Sequence, residues 1–280
     1  MATEFVTSGD GTRIAYERSG AGPVLVLVDG AAMHRAFGTS RGLARLLADA
    51  FTVVTYDRRG RGESGDTPPW SPVREVEDLM AVIRAAMTRA ATSGREDGAD
   101  GGVAVHTLSS GAVLALHAVA AGAPIRSLSL FEPPIDLNAA PDADTMDVEA
   151  VALLVRAGRR REAVQAFQAG IGMPAEMIAG QPPEVLDALD AVAPTLVYDL
   201  ALTRAGCVPP GVLAAVRIPV LVLSSDTGSG PLGGWAAALA AALPAAQHRT
   251  LPGSWHGVPE DLLAGAIRDA ANHGRPAARP

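Results

Sequence analysis

The chain has 280 residues, of which 48% are hydrophobic, 19% charged and only 4% aromatic. All 23 basic residues are arginines, and 30 acidic residues bring the formal net charge to −7, so nucleic acids and anionic membrane surfaces are not expected partners. The single cysteine, Cys207, excludes an internal disulfide and any multi-cysteine metal site.

The first 20 residues carry charged side chains throughout and no continuous apolar segment, so we expect no signal peptide. No run of about 18 apolar residues is present, and we expect no membrane span. No cluster of His, Asp and Glu residues has metal-ligand spacing, so we expect neither a metal nor another cofactor. The sequence thus predicts a cytoplasmic globular protein that acts on a small molecule, with its oligomeric state left open.

The first predicted elements are strands. Residues Glu4–Thr7 and 13–17 are β-prone runs joined by a turn rich in Gly and Asp, which predicts a hairpin. Residues Val24–Val28 and 51–56 are continuous apolar runs, typical of strands buried on both faces of a parallel sheet. Between them, leucines at helical spacing predict a helix.

The alternation of strand and helix then continues. We predict a helix at 73–90, a loop at 92–102, a strand at Val103–Leu108, a helix at 112–121 and a strand at Ile125–Phe131. This rhythm is typical of a mostly parallel sheet with helices on both faces.

The rhythm breaks after the strand that ends at Phe131. Residues 135–216 are helical in period, which predicts an inserted helical cap, and the α/β pattern then resumes with strands at 219–223 and 248–251. A loop at 252–257 leads into the last helix. We therefore predict a core made of residues 1–134 and 217–274, a cap of residues 135–216, and a flexible tail at 275–280.

A candidate nucleophile lies between the strand at Val103–Leu108 and the helix after it. The segment Thr107-Leu108-Ser109-Ser110-Gly111 resembles the Gly-x-Ser-x-Gly elbow, in which a sharp turn exposes a serine at the start of a helix. Thr107 departs from the first glycine of that motif. The alternative interpretation is an ordinary turn in which Ser109 or Ser110 caps the helix.

His256 is the candidate base. It lies in a glycine-flanked loop after the last strand, at the edge of the sheet where the serine is expected, and imidazole has a pKa suited to general-base catalysis. The other histidines have simpler interpretations. His106 and His117 lie in apolar segments and are expected to be packed, whereas His34, His248 and His273 are expected at the surface or in loops.

Over nearly its whole length the chain resembles the α/β-hydrolase fold, with an eight-stranded sheet. The segment 56–66, which contains Asp57-Arg58-Arg59-Gly60, is similar to the family's segment after the fourth strand. Asp29-Gly30-Ala31 is similar to the family's oxyanion loop. Phe131-Glu132-Pro133-Pro134 and the residues before His256 are similar to a branch of small esterase- and haloperoxidase-like hydrolases of actinobacterial type.

The resemblance implies roles for individual residues. Ser109 is then the nucleophile and His256 the base, and the oxyanion donors are the backbone N–H groups of Ser110 and Ala31. The acid stays open between Asp226, close to the usual position after a later strand, and Glu132, which follows Phe131 as in some relatives. We favour Glu132, whose alternative role is to cap the Pro-Pro turn.

Two further features carry simpler interpretations. Asp57, Arg58 and Arg59 are expected to anchor a buried loop rather than to form a site. Asp29, where the family has histidine, is expected to order the oxyanion loop through backbone hydrogen bonds.

Three functions are compatible with these residues. The first is serine-dependent hydrolysis of a small ester, lactone or thioester, with a tailoring step in specialised metabolism as one candidate context. The second is a non-hydrolytic enzyme on the same fold, such as a cyclase, lyase or carbon–carbon bond-forming enzyme that uses His256 without an acyl-enzyme. The third is a non-catalytic ligand-binding protein. No individual residue is singled out by the sequence as substrate-binding.

Overall fold

A computed structural model describes residues 2–92, 102–140, 148–227 and 230–273. Nearly all of the predicted loop at 92–102 and the whole predicted tail at 275–280 lie outside these ranges. Within them, no helix combines the length and the apolar character needed to cross a bilayer.

Within the described residues, eight strands form one sheet in the order β1-β2-β4-β3-β5-β6-β7-β8. Pairings β1–β2 and β2–β4 are antiparallel and the others are parallel, which confirms the expected mostly parallel eight-stranded sheet. The strands in chain order are β1 Glu4–Thr7, β2 Arg13–Ser19, β3 Val24–Val28, β4 Thr52–Tyr56, β5 Val103–Leu108, β6 Ile125–Phe131, β7 Val220–Thr227 and β8 Ala246–Ser254.

Helices flank this sheet and fill the connection between β6 and β7. Those that pack on the sheet are α1 Ser40–Leu47, α2 Pro72–Thr92, α3 Gly111–Ala120, α10 Leu232–Ala242 and α11 Glu260–His273, and α9 Pro210–Ala215 packs against α3. The remainder of the connection contains α4 Val148–Arg156, α5 Arg160–Gly170, α6 Ala175–Ala179, α7 Pro183–Val192 and α8 Leu196–Leu202. We refer to α4–α8 as the inserted helices.

The sheet separates two apolar clusters. In β3 the side chains of Val24, Val26 and Val28 pack with α2 and α3 on one face. The alternate residues, Leu25 and Leu27, pack with α1 and α11 on the other. A continuous apolar run is therefore needed in β3, because side chains on both faces are buried.

The inserted helices have an apolar cluster of their own, which includes Val164, Phe167 and Leu196. Among the described residues, one buried member of this cluster lies outside the inserted helices and the short 3₁₀ turn at Ala193–Thr195. This member is Ala32. The division of the chain into core, cap and tail stays a prediction.

Strands β7 and β8 are longer than expected. The residues Ser224 to Thr227 and Pro252 to Ser254, which we assigned to loops, continue the two strands, and Thr227 pairs with Ser254 beyond a register shift. A bulge of this kind lets a pair of strands continue through irregular residues. The loop that carries His256 is correspondingly shorter than expected.

Candidate active site

Ser109 occupies a strained turn at the carboxyl end of β5. Its φ is +50°, in the left-handed region that non-glycine residues rarely adopt, and its N–H donates to the carbonyl of Phe131 at 2.9 Å. A Cβ on Gly111 would lie 2.8 Å from the carbonyl oxygen of Val28, so only glycine fits at the start of α3. Ser110 stands at the N-cap position without a side-chain capping bond. The turn thus has the form of a nucleophile elbow.

Thr107 lies within β5 and pairs with Val28 on one side and Leu130 on the other. It is fully buried, and its hydroxyl has no hydrogen-bond partner in the described part of the chain. The tight approach between strand and helix occurs at Gly111 instead. The departure from the glycine of the motif is therefore accommodated inside the sheet.

The loop after β3 lies against this elbow. A Cβ on Gly30 would be 3.1 Å from Cβ of Ser109, and Ala32 has a φ of +57°. Among the described residues, Asp29 makes one side-chain bond in place of the expected backbone bonds: its Oδ1 accepts from the Ser40 hydroxyl at 2.5 Å. Burial raises the pKa of Asp29 to about 6.

His256 and Glu132 meet at the same edge of the sheet. Nδ1 of His256 lies 2.5 Å from Oε2 of Glu132, and the same oxygen accepts the backbone N–H of His256 at 2.9 Å. Among the described residues, Nδ1 has no partner that meets the angular criteria for a hydrogen bond. The carboxylate oxygen therefore lies away from the direction in which an N–H at Nδ1 would point. The imidazole is 20% exposed and the Glu132 side chain is fully buried.

Neighbouring residues fix the carboxylate of Glu132. Its Oε1 accepts the backbone N–H of Ser225 at 3.0 Å and also the Ser225 hydroxyl.

Glu132 has a φ of +46°, and the ring of Phe131 packs edge-on against His256 with 5.9 Å between centroids. Trp255 and His256 are also left-handed, with φ of +47° and +61°. Several strained residues therefore cluster where β5, β6 and β8 end.

Asp226, the other candidate acid, lies elsewhere. It is exposed near the end of β7, and its Oδ1 accepts the backbone N–H of Gly253 at 3.0 Å across the bulge between β7 and β8. The structure thus brings Glu132, rather than Asp226, into contact with the ring of His256. No hydrogen bond joins Ser109 and His256 in the described residues, and such bonds are often long in the absence of substrate.

The remaining histidines that the structure describes are not part of this arrangement. His106 is buried with Nδ1 3.0 Å from the Ser129 hydroxyl, and burial lowers its pKa to about 3. His117 is bonded through Nε2 to the carbonyl of Cys207 at 2.7 Å. Both are packed, as expected. The described ranges hold no group of three or more His, Cys, Asp or Glu side chains that could bind a metal ion.

A buried charge cluster lies beneath the elbow. Arg58 and Arg61 both pair with Asp199 of α8, and Arg58 also pairs with Glu75 of α2. Arg58 is buried, as expected, whereas the ion pairs of Asp199 were not predicted. The feature of the sequence that could have pointed to Asp199 is its position as the one charged residue in the otherwise apolar helix Leu196–Leu202.

Known proteins resemble this chain in sequence and in fold. A sequence profile of the alpha/beta hydrolase family matches residues 20–264. An alpha/beta hydrolase from Sphaerobacter thermophilus is 39% identical, with 95% of this chain and 99% of that chain covered and a TM-score of 0.82.

Two more distant structures share the fold. The esterase RhEst1 from Rhodococcus sp. is 20% identical, with 97% of this chain and 99% of that chain covered and a TM-score of 0.70. An enol-lactonase from Burkholderia xenovorans is 16% identical, with 96% of this chain and all of that chain covered and a TM-score of 0.72.

Proposed function

Because this chain belongs to the alpha/beta hydrolase family, we propose that it is a serine hydrolase acting on a small ester, lactone or thioester. The observation that carries the proposal is the contact of His256 with the buried Glu132 at the sheet edge where Ser109 forms a left-handed elbow. A base held by a buried acid, close to a half-buried serine on a strained turn, is the arrangement that nucleophilic catalysis by serine requires.

The proposed reaction has two halves. Oγ of Ser109 attacks the carbonyl carbon of the substrate while Nε2 of His256 removes the hydroxyl proton. The resulting oxyanion is held by the backbone N–H groups of Ala31 and Ser110. His256 then protonates the departing alcohol or thiol. In the second half, His256 removes a proton from a water molecule that attacks the acyl carbon, and it gives this proton to Oγ of Ser109 as the bond to the acid product breaks.

Glu132 acts in this mechanism by holding the imidazole in one orientation and by stabilising its protonated form. The close approach of Oε2 to Nδ1 and the bond from the His256 backbone support this role. Within the same proposal the inserted helices form the cap over the site, and the substrate is a small molecule bound between the cap and the elbow.

Covalent labelling tests the nucleophile. A fluorophosphonate probe is expected to modify the wild-type chain at Ser109, and Ser109→Ala is expected to lose both labelling and turnover of p-nitrophenyl butyrate. Ser129→Ala removes a buried hydroxyl from the neighbouring strand β6 and serves as the matched control, which should keep both. A wild-type chain that is not labelled, together with an unaffected Ser109→Ala variant, would remove the proposal.

The same variants distinguish the alternatives. An activity other than ester hydrolysis that survives Ser109→Ala but is lost in His256→Ala would indicate a reaction without an acyl-enzyme, in which the imidazole acts alone as acid and base. A ligand whose affinity is unchanged in both variants, without turnover of any ester, lactone or thioester tested, would indicate a binding protein on this fold.

A further inference from the structure

Four charged side chains are buried together where α8 meets the sheet edge. Arg58 lies 2.7 Å from Glu75 and 2.9 Å from Asp199, and Arg61 lies 2.6 Å from Asp199. Each side chain is at most 2% exposed. Two positive and two negative charges balance, but apolar packing would stabilise the fold at least as well as buried ion pairs. The position of the cluster therefore points to a role at the site.

The first contact of the cluster with the site is the carbonyl of Gly30. Nη1 of Arg61 donates to this oxygen at 2.8 Å, and Nη1 of Arg58 approaches it at 3.4 Å. The peptide group is planar and trans, so the Gly30 carbonyl and the Ala31 N–H point in opposite directions. By fixing the carbonyl, Arg61 also fixes the direction of the Ala31 N–H.

The second contact is the side chain of Ser110. Its hydroxyl donates to Oδ1 of Asp199 at 3.0 Å and accepts from Nη1 of Arg58 at 3.0 Å. Ser110 is 1% exposed, so water does not compete for these bonds. The residue that supplies the other proposed oxyanion donor is thereby tied to the same carboxylate.

The inserted helices also hold the loop from its apolar side. Ala32 is buried in the cluster of the inserted helices, and Ala31 and Phe37 pack against that cluster. Nε of Arg61 donates to the hydroxyl of Thr195, directly before α8. Polar and apolar contacts therefore join the same two parts of the chain.

We propose that Asp199, acting through Arg58, Arg61 and Ser110, positions both backbone donors of the oxyanion hole. Asp199 is then a positioning residue, and α8 helps to build the catalytic centre as well as to cover it. This inference rests on the proposed serine hydrolase function, because it assigns the cluster to the stabilisation of an oxyanion.

The charge state of Asp199 fits this role. Burial alone would raise the pKa of Asp199, but the guanidinium groups of Arg61 and Arg58 outweigh that effect and hold the pKa below its ordinary value. Asp199 therefore stays ionised and can accept from Arg58, Arg61 and Ser110 at once.

Ser110→Ala is the most direct test, because it removes the hydroxyl while the backbone N–H and every ion pair of the cluster stay. Ser129→Ala is the matched control, since Ser129 is also buried but its hydroxyl is bonded to His106. We expect kcat for p-nitrophenyl butyrate to fall about tenfold in Ser110→Ala with little change in KM, because acylation and deacylation both pass through an oxyanion. Ser129→Ala should keep the wild-type kcat.

Asp199→Asn gives a second test, with Asp78→Asn as its control. Asp78 is also buried and bonded to an arginine, Arg59, at 2.7 and 2.8 Å, but that pair does not touch the oxyanion loop. Both variants are expected to lower Tm. Only Asp199→Asn should also weaken inhibition by phenylboronic acid, whose tetrahedral adduct with serine places an oxygen in the oxyanion hole, by about the factor lost in kcat.

The outcomes separate this inference from the proposed function. If Ser109→Ala is inactive but Ser110→Ala and Asp199→Asn keep the kcat and boronate affinity of their controls, the cluster is only structural and the inference is wrong. If Ser109→Ala keeps full activity, the serine hydrolase proposal itself fails. Should Asp199→Asn not fold, the comparison of Ser110→Ala with Ser129→Ala decides the question alone.

Discussion

Oε2 of Glu132 contacts His256 twice, at 2.5 Å from ring atom Nδ1 and at 2.9 Å from the backbone nitrogen. One carboxylate oxygen thus holds both the ring and the chain segment that carries it. The other oxygen is fixed by Ser225, so the carboxylate has little freedom to rotate away.

This relationship predicts different effects of two similar substitutions. Glu132→Gln should lower kcat by about 10³- to 10⁴-fold, because the neutral amide no longer stabilises a protonated imidazole and no longer selects its tautomer. Asp226→Asn should keep kcat close to the wild-type value, since the Asp226 carboxylate is bonded to Gly253 rather than to His256. Steady-state kinetics on a p-nitrophenyl ester, with Tm recorded for both variants, checks the pair. The opposite ranking would make Asp226 the acid.

The left-handed conformation of Ser109 predicts that a side chain at this position lowers the stability of the fold. Ser109→Gly should be more stable than Ser109→Ala by about 1 kcal/mol, because glycine adopts positive φ without the steric cost that a Cβ brings. Both variants lack the hydroxyl, so the comparison isolates the backbone term. Urea denaturation of the two variants measures the difference. Equal stabilities would show that the elbow at φ +50° is not strained.

The start of α3 predicts that Gly111 tolerates no side chain. In Gly111→Ala the new Cβ would lie 2.8 Å from the Val28 carbonyl and 3.1 Å from that of Asp29, so the helix or β3 must shift. We expect a loss of about 1–3 kcal/mol in the free energy of unfolding, together with reduced kcat.

Gly265→Ala is the matched control for this prediction. Gly265 lies within α11, and a Cβ there would meet no atom within 4 Å. This variant should gain up to about 1 kcal/mol from the higher helix propensity of alanine. A Gly111→Ala protein as stable as the Gly265→Ala protein would contradict the tight packing at the elbow.

Asp29 predicts a pH-dependent stability. Its pKa is about 6 in the folded chain and near 3.8 when exposed, so the folded state binds this proton more tightly. Relative to its ionised form, protonated Asp29 therefore contributes about 3 kcal/mol to the free energy of unfolding below pH 4. This contribution is lost as the pH rises from about 4 through 6.

Asp29→Asn removes this titration. The Tm of the variant relative to wild type should increase between pH 4.5 and pH 7.5, because only the wild-type side chain ionises over that range. Asp187→Asn, at a side chain that is 79% exposed, is the control and should show a nearly constant difference. If the Asp29→Asn difference is also constant with pH, the carboxyl titrates normally in the fold.

Three central strands were predicted from burial on both faces. The runs Val24–Val28, Val103–Leu108 and Ile125–Phe131 match the observed strands residue for residue, because both faces of each are covered and turn residues follow. The ends of β7 and β8 were assigned to loops because Ser224 to Thr227 and Pro252 to Ser254 are polar or contain proline. The pairing of Thr227 with Ser254 lies beyond a bulge, and local composition does not predict a bulge.

In the candidate site, too, some residues have a local signal in the sequence and others do not. Ser109 and His256 have local signals, in an elbow motif and in a glycine-flanked loop, and Glu132 follows a strand directly. The bond between Asp199 and Arg61 joins residues 138 positions apart, and no local pattern encodes such a contact. The one local indication is that Asp199 is a charged residue within the apolar helix α8, which predicts a buried partner of opposite charge.

The use of arginine rather than lysine in the buried cluster separates two kinds of group by their response to protons. Burial alone would lower the pKa of Arg58, but Glu75 and Asp199 raise it above its ordinary value, and a guanidinium does not lose its proton in proteins. An imidazole, in contrast, changes charge near neutral pH. Arg58 therefore keeps its charge in the pH range where an imidazole titrates, so the bond from Arg58 to the hydroxyl of Ser110 does not depend on pH over that range.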